Sequence, residues 1–231
     1  MRLHCMGGLA NRMQAIFSYR AAFGGVLTVE WADAYQTNGH FLDCFEPLEG
    51  VTFVDGPDLP MAHQGGPVIL GPDYVADNHT CGHAPAGWVE GYRELRLRPE
   101  LRAGLPTGGY DAIHVRRTDH VQLAETGGRY TPDGAFHNFI ADSQTFRVYI
   151  ATDNNRTQLE MFREVRRYGM TPLLYQDIHD RANPNEHDRR NTPITHAAVD
   201  LFACAGAARF KGTALSSFTA TIELFRQMGI R

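Results

Sequence analysis

No apolar run in this chain approaches the ~18–20 residues that cross a membrane as a helix, and the first residues carry no leader pattern of basic, apolar and small-residue blocks. The sequence therefore predicts no membrane span and a cytoplasmic protein. Excess positive charge is also missing. Lys and Arg number 22 against 26 Asp and Glu, a formal net charge of −4, so no global basic field exists to hold nucleic acid. Cysteine is sparse, with four residues at 5, 44, 81 and 204 and no CxxC pair. His79, Cys81 and His83 lie close together but lack standard zinc-ligand spacing, even with Cys44 added. The four cysteines read as reduced, partly buried thiols. The dinucleotide fingerprint GxGxxG and the Walker lysine are both absent, which argues against nicotinamide and ATP chemistry. There is no internal repeat and no low-complexity tract.

What is present is an ordinary globular composition of 231 residues, 43% hydrophobic and 21% charged. That is enough for one large domain or two compact ones with a real core. The rhythm is that of an α/β protein. Residues 1–6 read as a strand, 7–11 as a turn, 12–23 as a helix with apolar Met13, Ile16, Phe17 and Tyr19, and 26–31 as a second strand. Residues 51–54 and 68–70 read as short strands, 71–87 as a polar surface loop, 98–104 as a short helix and 105–109 as a linker. The second half alternates cleanly. Strands are expected at 110–115, 146–151, 172–175 and 208–211, helices at 131–141, 155–168, 193–205 and 216–229, and a charged loop over 177–192. Such alternation implies a parallel sheet with crossover helices.

In an open parallel sheet, ligands bind beyond the carboxyl ends of the strands. The first polar segment in such a place is IHVRRTDH, residues 113–120. Arg116 and Arg117 alternate in direction, so at most one addresses a given face. One arginine there can grip a diphosphate by paired hydrogen bonds; the alternative is a surface pair salt-bridged to Asp119. The second is YIATDNN, residues 149–155, where Asp153 either accepts hydrogen bonds from a base or ribose or caps the next helix. The third is FKGTALSSFT, residues 210–219. Small hydroxyl residues at a helix start offer free backbone N–H groups and a positive dipole end, which suits phosphate, or else Ser216 is a plain N-cap. Asp200, on the preceding helix, reads by itself as a solvated side chain. In the first half, the turn Gly7-Gly8-Leu9-Ala10-Asn11-Arg12 also suits an anion, with Glu30 or Asp33 at a workable distance for a ribose.

Together these segments resemble the fucosyltransferase superfamily of α1,6-fucosyltransferases, nodulation-factor fucosyltransferases and protein O-fucosyltransferases. HVRRTD, VYIATDN and DLFACAGAARFKGTALSSFT resemble, in order, the three donor-site motifs of the α1,6 group. SSFT is especially similar to the O-fucosyltransferases, and GGLANR is similar to their N-terminal glycine–asparagine turn. GWVEGYR, residues 87–93, resembles the strand that precedes the linker in bacterial members. The resemblance covers nearly the whole chain. It implies a GT-B fold, an α/β architecture of two facing Rossmann-like domains with parallel sheets and the active cleft between them. Residues 1–105 would form the acceptor-side domain and 106–231 the nucleotide-sugar donor domain.

The same resemblance implies GDP-fucose as donor, inversion at the anomeric carbon, no metal or other cofactor, and a glycan or other hydroxyl acceptor. Residue by residue, Arg116 would bind the β-phosphate and support the leaving diphosphate. His114 and Asp200 would contact the nucleoside, with Arg117 and Asp153 in the motifs of the same pocket. Ser216, Ser217, Phe218 and Thr219 would hold the pyrophosphate, and the Gly8–Asn11 turn would bring Asn11 in from the N-terminal domain. The α1,6 enzymes carry a glutamate shortly after HVRRTD, which makes Glu125 the expected general base, one residue later than in their pattern, with Asp119 second. The pattern's lysine after RRTD is His120 here, and an arginine beyond the serine pair is absent, with Thr221 near its place. Other readings are a related transferase using another nucleotide sugar and a non-catalytic module that binds a sugar nucleotide or glycan. Intact Arg116 and SSFT weigh against the module.

Overall fold

The computed structural model describes residues 1–24, 26–32, 37–57, 67–117, 131–176 and 192–231. They divide into two units, Met1–Pro99 with Pro193–Thr195, and Glu100–Thr192 with His196–Arg231. The first unit is built on β1 (Arg2–Cys5), β2 (Leu27–Trp31), β3 (Val51–Asp55), β4 (Val68–Gly71) and β5 (Tyr74–Asp77), in the sheet order β3-β2-β1-β5-β4. All run parallel except β4, which pairs antiparallel with β5 at the edge. Helix α1 (Leu9–Phe23) follows β1 directly. Leu9, Met13, Ile16 and Phe17 recur at helical spacing and are buried. Gly24, at φ +52°, donates its N–H to the Arg20 carbonyl and stops the helix. A four-residue helix α2 (Phe41–Cys44) is capped by His40.

Two expectations fail in this unit. Residues 74–77 fall in the span read as a surface loop, yet Tyr-Val-Ala-Asp is strand β5, paired with β1, with Val75, Ala76 and Asp77 buried. Four residues between turn-formers are too few to display an alternation. Nor is GWVEGYR a strand, because Trp88–Glu94 forms a 3₁₀ helix. The Tyr92 ring packs on Phe17 of α1 at 4.7 Å between centroids. Gly91 lies so close to the same ring that a Cβ would sit 2.6 Å from it. That close packing against α1 fixes the segment as a tight helical turn.

After α3 (Pro99–Arg102), the second unit carries β6 (Asp111–Val115), β7 (Arg147–Thr152), β8 (Thr171–Leu173) and β9 (Phe210–Gly212) in the order β8-β7-β6-β9, all parallel. Helices α4 (Asp133–Ala141), α5 (Asn155–Arg167), α6 (Ile194–Gly206) and α7 (Ser217–Met228) alternate with them. This is the α/β architecture that the second-half rhythm implied. Ile113, Val115, Val148 and Ile150 of the central strands pack with Phe136 and Ile140 of α4 and Met161 and Val165 of α5 in one core. Each contributes about 1.5–3 kcal/mol by its burial. Both central strands are buried along nearly their whole length, as strands covered on two faces must be.

All four cysteines are free and buried. Burial pushes the Cys5 thiol up to about 12 and the Cys204 thiol well above its ordinary range, with Asp200 one turn earlier adding to the latter. Both are packing groups rather than nucleophiles. Among the described residues, no helix is long and apolar enough to cross a membrane.

Candidate functional site

Strands β6, β7 and β9 end side by side, with Val115 opposite Thr152 and His114 opposite Gly212. A cavity at these carboxyl ends is lined by His114, Arg116, Thr152, Asp153, Thr192, Ala197, Asp200 and Phe218. Five of the residues expected in a donor site thus meet in one place, from the ends of β6 and β7, the start of α7 and the middle of α6.

The two arginines part company. Arg116 is 8% exposed and lines the cavity, its Nε 3.9 Å from Asp153 Oδ2. Arg117 turns to α4, where Nη2 donates to Asp133 Oδ1 at 2.6 Å and to the Thr131 carbonyl at 2.9 Å, and its guanidinium lies 5.5 Å from the Phe136 ring centre. Asp119 and Glu125 lie outside the described residues.

Asp153 is not the helix cap. Asn154 takes that position, accepting the Thr157 N–H on Oδ1 at 3.0 Å, and Asp153 is left at the cavity with the Arg117 N–H donating to its Oδ1 at 3.3 Å. Asp200 is not the solvated side chain that its helical position suggested. It is 6% exposed, and the hydroxyl of fully buried Tyr149 on β7 donates to its Oδ1 at 2.6 Å. Ser216 is the N-cap of α7, accepting the Thr219 N–H. Phe218 of the same turn faces the cavity, its ring 4.8 Å from that of His114. His114 Nδ1 lies 2.8 Å from Thr219 Oγ1. Gly212 permits this approach, since a Cβ there would fall 2.2 Å from Thr219 Cγ2. The turn between β9 and α7 contains Leu215 at φ +61°, a left-handed conformation that costs an L-residue roughly 1–2 kcal/mol. Its side chain is about half exposed, so its own burial is incomplete.

Sequence reasoning passed over Tyr149, Thr152, Thr131 and Thr213. Each is a hydroxyl that holds a strand end or a neighbouring side chain, and a lone hydroxyl at a strand end carries no distinguishing pattern. The cavity pairs a cation with carboxylates, so it offers both a partner for anionic oxygens and acceptors for N–H and O–H donors.

Gly8 and Asn11 belong to the first unit. Gly7, at φ +80°, makes the turn, and its carbonyl accepts Arg12 Nε at 2.8 Å and Thr37 Oγ1 at 2.9 Å. Arg12 is buried with its guanidinium 4.6 Å from the Trp31 ring and bonds the Ala32 carbonyl. Gly8 caps α1 without a side chain, and Asn11 sits half-buried in the first turn. Glu30 is not available to a ribose, because Arg2, His4 and Tyr74 already occupy its carboxylate. Asp33 lies outside the described residues.

No protein-family model matches the sequence, and no curated protein matches it. Solved structures do. The fucosyltransferase NodZ from Bradyrhizobium superposes with a TM-score of 0.55 over 96% of this chain and 92% of its own, at 14% identity. POFUT1 in complex with GDP-fucose superposes with a TM-score of 0.59 over 98% of this chain and 93% of its own, at 11% identity. The chain has a fucosyltransferase-like fold. At such identities the likeness resides in the order and packing of strands and helices. The side chains that this fucosyltransferase-like fold places at the ends of β6, β7 and β9 must be judged by their own geometry.

Proposed function

We propose that the protein is an inverting glycosyltransferase that moves L-fucose from GDP-fucose to a hydroxyl of a glycan acceptor. The observation that carries this reading is the cavity in which nearly buried Arg116 shares the lining with Asp153, Asp200, His114 and Phe218. A nucleoside diphosphate complements that set. The guanidinium matches the diphosphate, the carboxylates accept from base N–H groups and ribose hydroxyls, and the Phe218 ring offers an apolar face. The similar structures support it, since NodZ was soaked with GDP-fucose and POFUT1 was crystallised in complex with GDP-fucose.

In the proposed reaction the acceptor oxygen attacks the anomeric carbon from the face opposite the diphosphate. The bond from that carbon to the β-phosphate oxygen breaks, and its electron pair stays with GDP. A single displacement of this kind inverts the configuration. Negative charge grows on the leaving diphosphate, and Arg116 meets it with charge-assisted hydrogen bonds. A fixed arginine supplies the neutralisation that a divalent cation gives in other transferases, so the reaction needs no metal. The acceptor proton passes to a carboxylate, Glu125 ahead of Asp119.

Calorimetry with GDP, GDP-fucose, GDP-mannose and UDP-glucose in metal-free buffer, with chromatographic detection of released sugar, tests this reading. Selective binding of GDP and GDP-fucose with slow release of fucose is expected. Preference for another sugar nucleotide removes fucose from the reading, and no binding of any of the four overturns it.

A further inference from the structure

We infer that Thr213 is a positioning residue for Arg116 and His114, a role that rests on the donor-site reading of the cavity. Thr213 is 2% exposed. The ladder between β6 and β9 ends at His114 and Gly212. Beyond that point the Thr213 hydroxyl replaces the next backbone rung. It accepts the Arg116 N–H at 2.9 Å and donates to the His114 carbonyl at 3.0 Å. These roles are fixed, because an amide N–H only donates and a carbonyl only accepts. One hydroxyl therefore pins the backbone on both sides of Val115, at the two residues whose side chains line the cavity.

The opposite edge of the same strand end is held in a similar way. Thr152 Oγ1 donates to the Val115 carbonyl at 2.6 Å. Thr152 itself lines the cavity, whereas Thr213 is not among its lining residues, so Thr213 acts through its neighbours. The turn that Thr213 begins is tied again one residue later, where the Ala214 N–H donates to Thr131 Oγ1 at 2.9 Å. The lock thus aligns the β6 end with the turn that delivers Ser216 and Phe218.

A displaced guanidinium loses more in the transition state than in the ground state, because charge on the leaving oxygen appears only as the bond breaks. Thr213→Val keeps the shape of the side chain and removes both hydrogen bonds. The variant should lose at least about tenfold in fucose release from GDP-fucose, while its Kd for GDP rises less than about threefold. Thr213→Ser, which retains the hydroxyl, should recover turnover to within about threefold of the wild type. A purely structural residue would lower Tm without separating kcat from Kd. Unchanged turnover in folded Thr213→Val, or a serine variant as impaired as the valine one, overturns the inference. If the valine variant does not fold, Thr213→Ala and Thr213→Ser share the lost methyl and differ in the hydroxyl alone, and equal turnover of these two also overturns it. Wild-type protein that binds no GDP defeats the donor reading before any variant is made, and this inference with it.

Discussion

Side chains alternate along a strand, so two adjacent arginines at its end cannot serve one face. Alternation limits the pair to one ligand-facing guanidinium without saying which, and the choice is made by α4. Asp133 and the Thr131 carbonyl take Arg117, and Arg116 is left to the cavity. The two substitutions should therefore separate. Arg116→Ala should cut fucose release about 10²–10³-fold, the scale of one lost transition-state contact, with Tm little changed. Arg117→Ala should lose stability, by about 1 kcal/mol because Asp133 is half exposed and solvent screens the pair, with turnover reduced less than about tenfold. Paired melts and turnover assays decide it, and equal turnover losses would refute the division. Asp200 shows the other limit of reading residues singly. Its burial depends on the Tyr149 hydroxyl across the fold, a contact that no local pattern announces.

At the scale of elements, the start of α7 is held by a close approach rather than by a strong cap. Thr219 sits over Gly212, within reach of His114. Gly212→Ala places a methyl where Thr219 Cγ2 already lies, and turning that short β-branched side chain aside breaks its bond to His114. The expected cost is about 1–3 kcal/mol, as for overpacking elsewhere, with weaker GDP binding in the folded fraction. Thermal melts and GDP calorimetry check this; a variant with unchanged Tm and affinity would mean the contact is not needed. The elements around this site were the legible ones. β6 and β7 each centre on a short run rich in apolar and β-branched residues, and α5 sets Met161 and Val165 against an outer face of Arg and Glu. The first unit was harder because its elements are short. β5 has four residues and hides among turn-formers, β4 gives no sign of its antiparallel direction, and the 3₁₀ helix takes its form from contact with Phe17.

Across the whole molecule, both sheets pack apolar cores, and the first also carries a buried, multiply hydrogen-bonded carboxylate that ties its stability to acid. The second unit packs aliphatic and aromatic side chains on β6 and β7. The first buries Glu30 on β2, opposite His4 of β1, with Arg2 and Tyr74 also on its carboxylate. Burial alone would raise the Glu30 carboxyl, but the hydrogen bonds from Tyr74, Arg2 and His4 outweigh it and hold it below the usual range. A group lowered on folding binds its proton more readily in the unfolded chain. Its stabilisation is complete above the unfolded value of about 4.3 and is lost as pH falls through the lower native value. Both tryptophans, Trp31 and Trp88, lie in the first unit, so their fluorescence reads that unit selectively. Urea midpoints followed by tryptophan emission should fall for the wild type as pH drops from about 5 toward 3. Glu30→Gln should be less stable near neutral pH by on the order of 1–3 kcal/mol, since it leaves buried donors poorly matched. The gap between the two proteins should then narrow in acid, where the wild-type carboxylate becomes protonated as well. A gap that stays constant down to about pH 3 would show that shape and hydrogen bonding at this position matter and the charge of Glu30 does not.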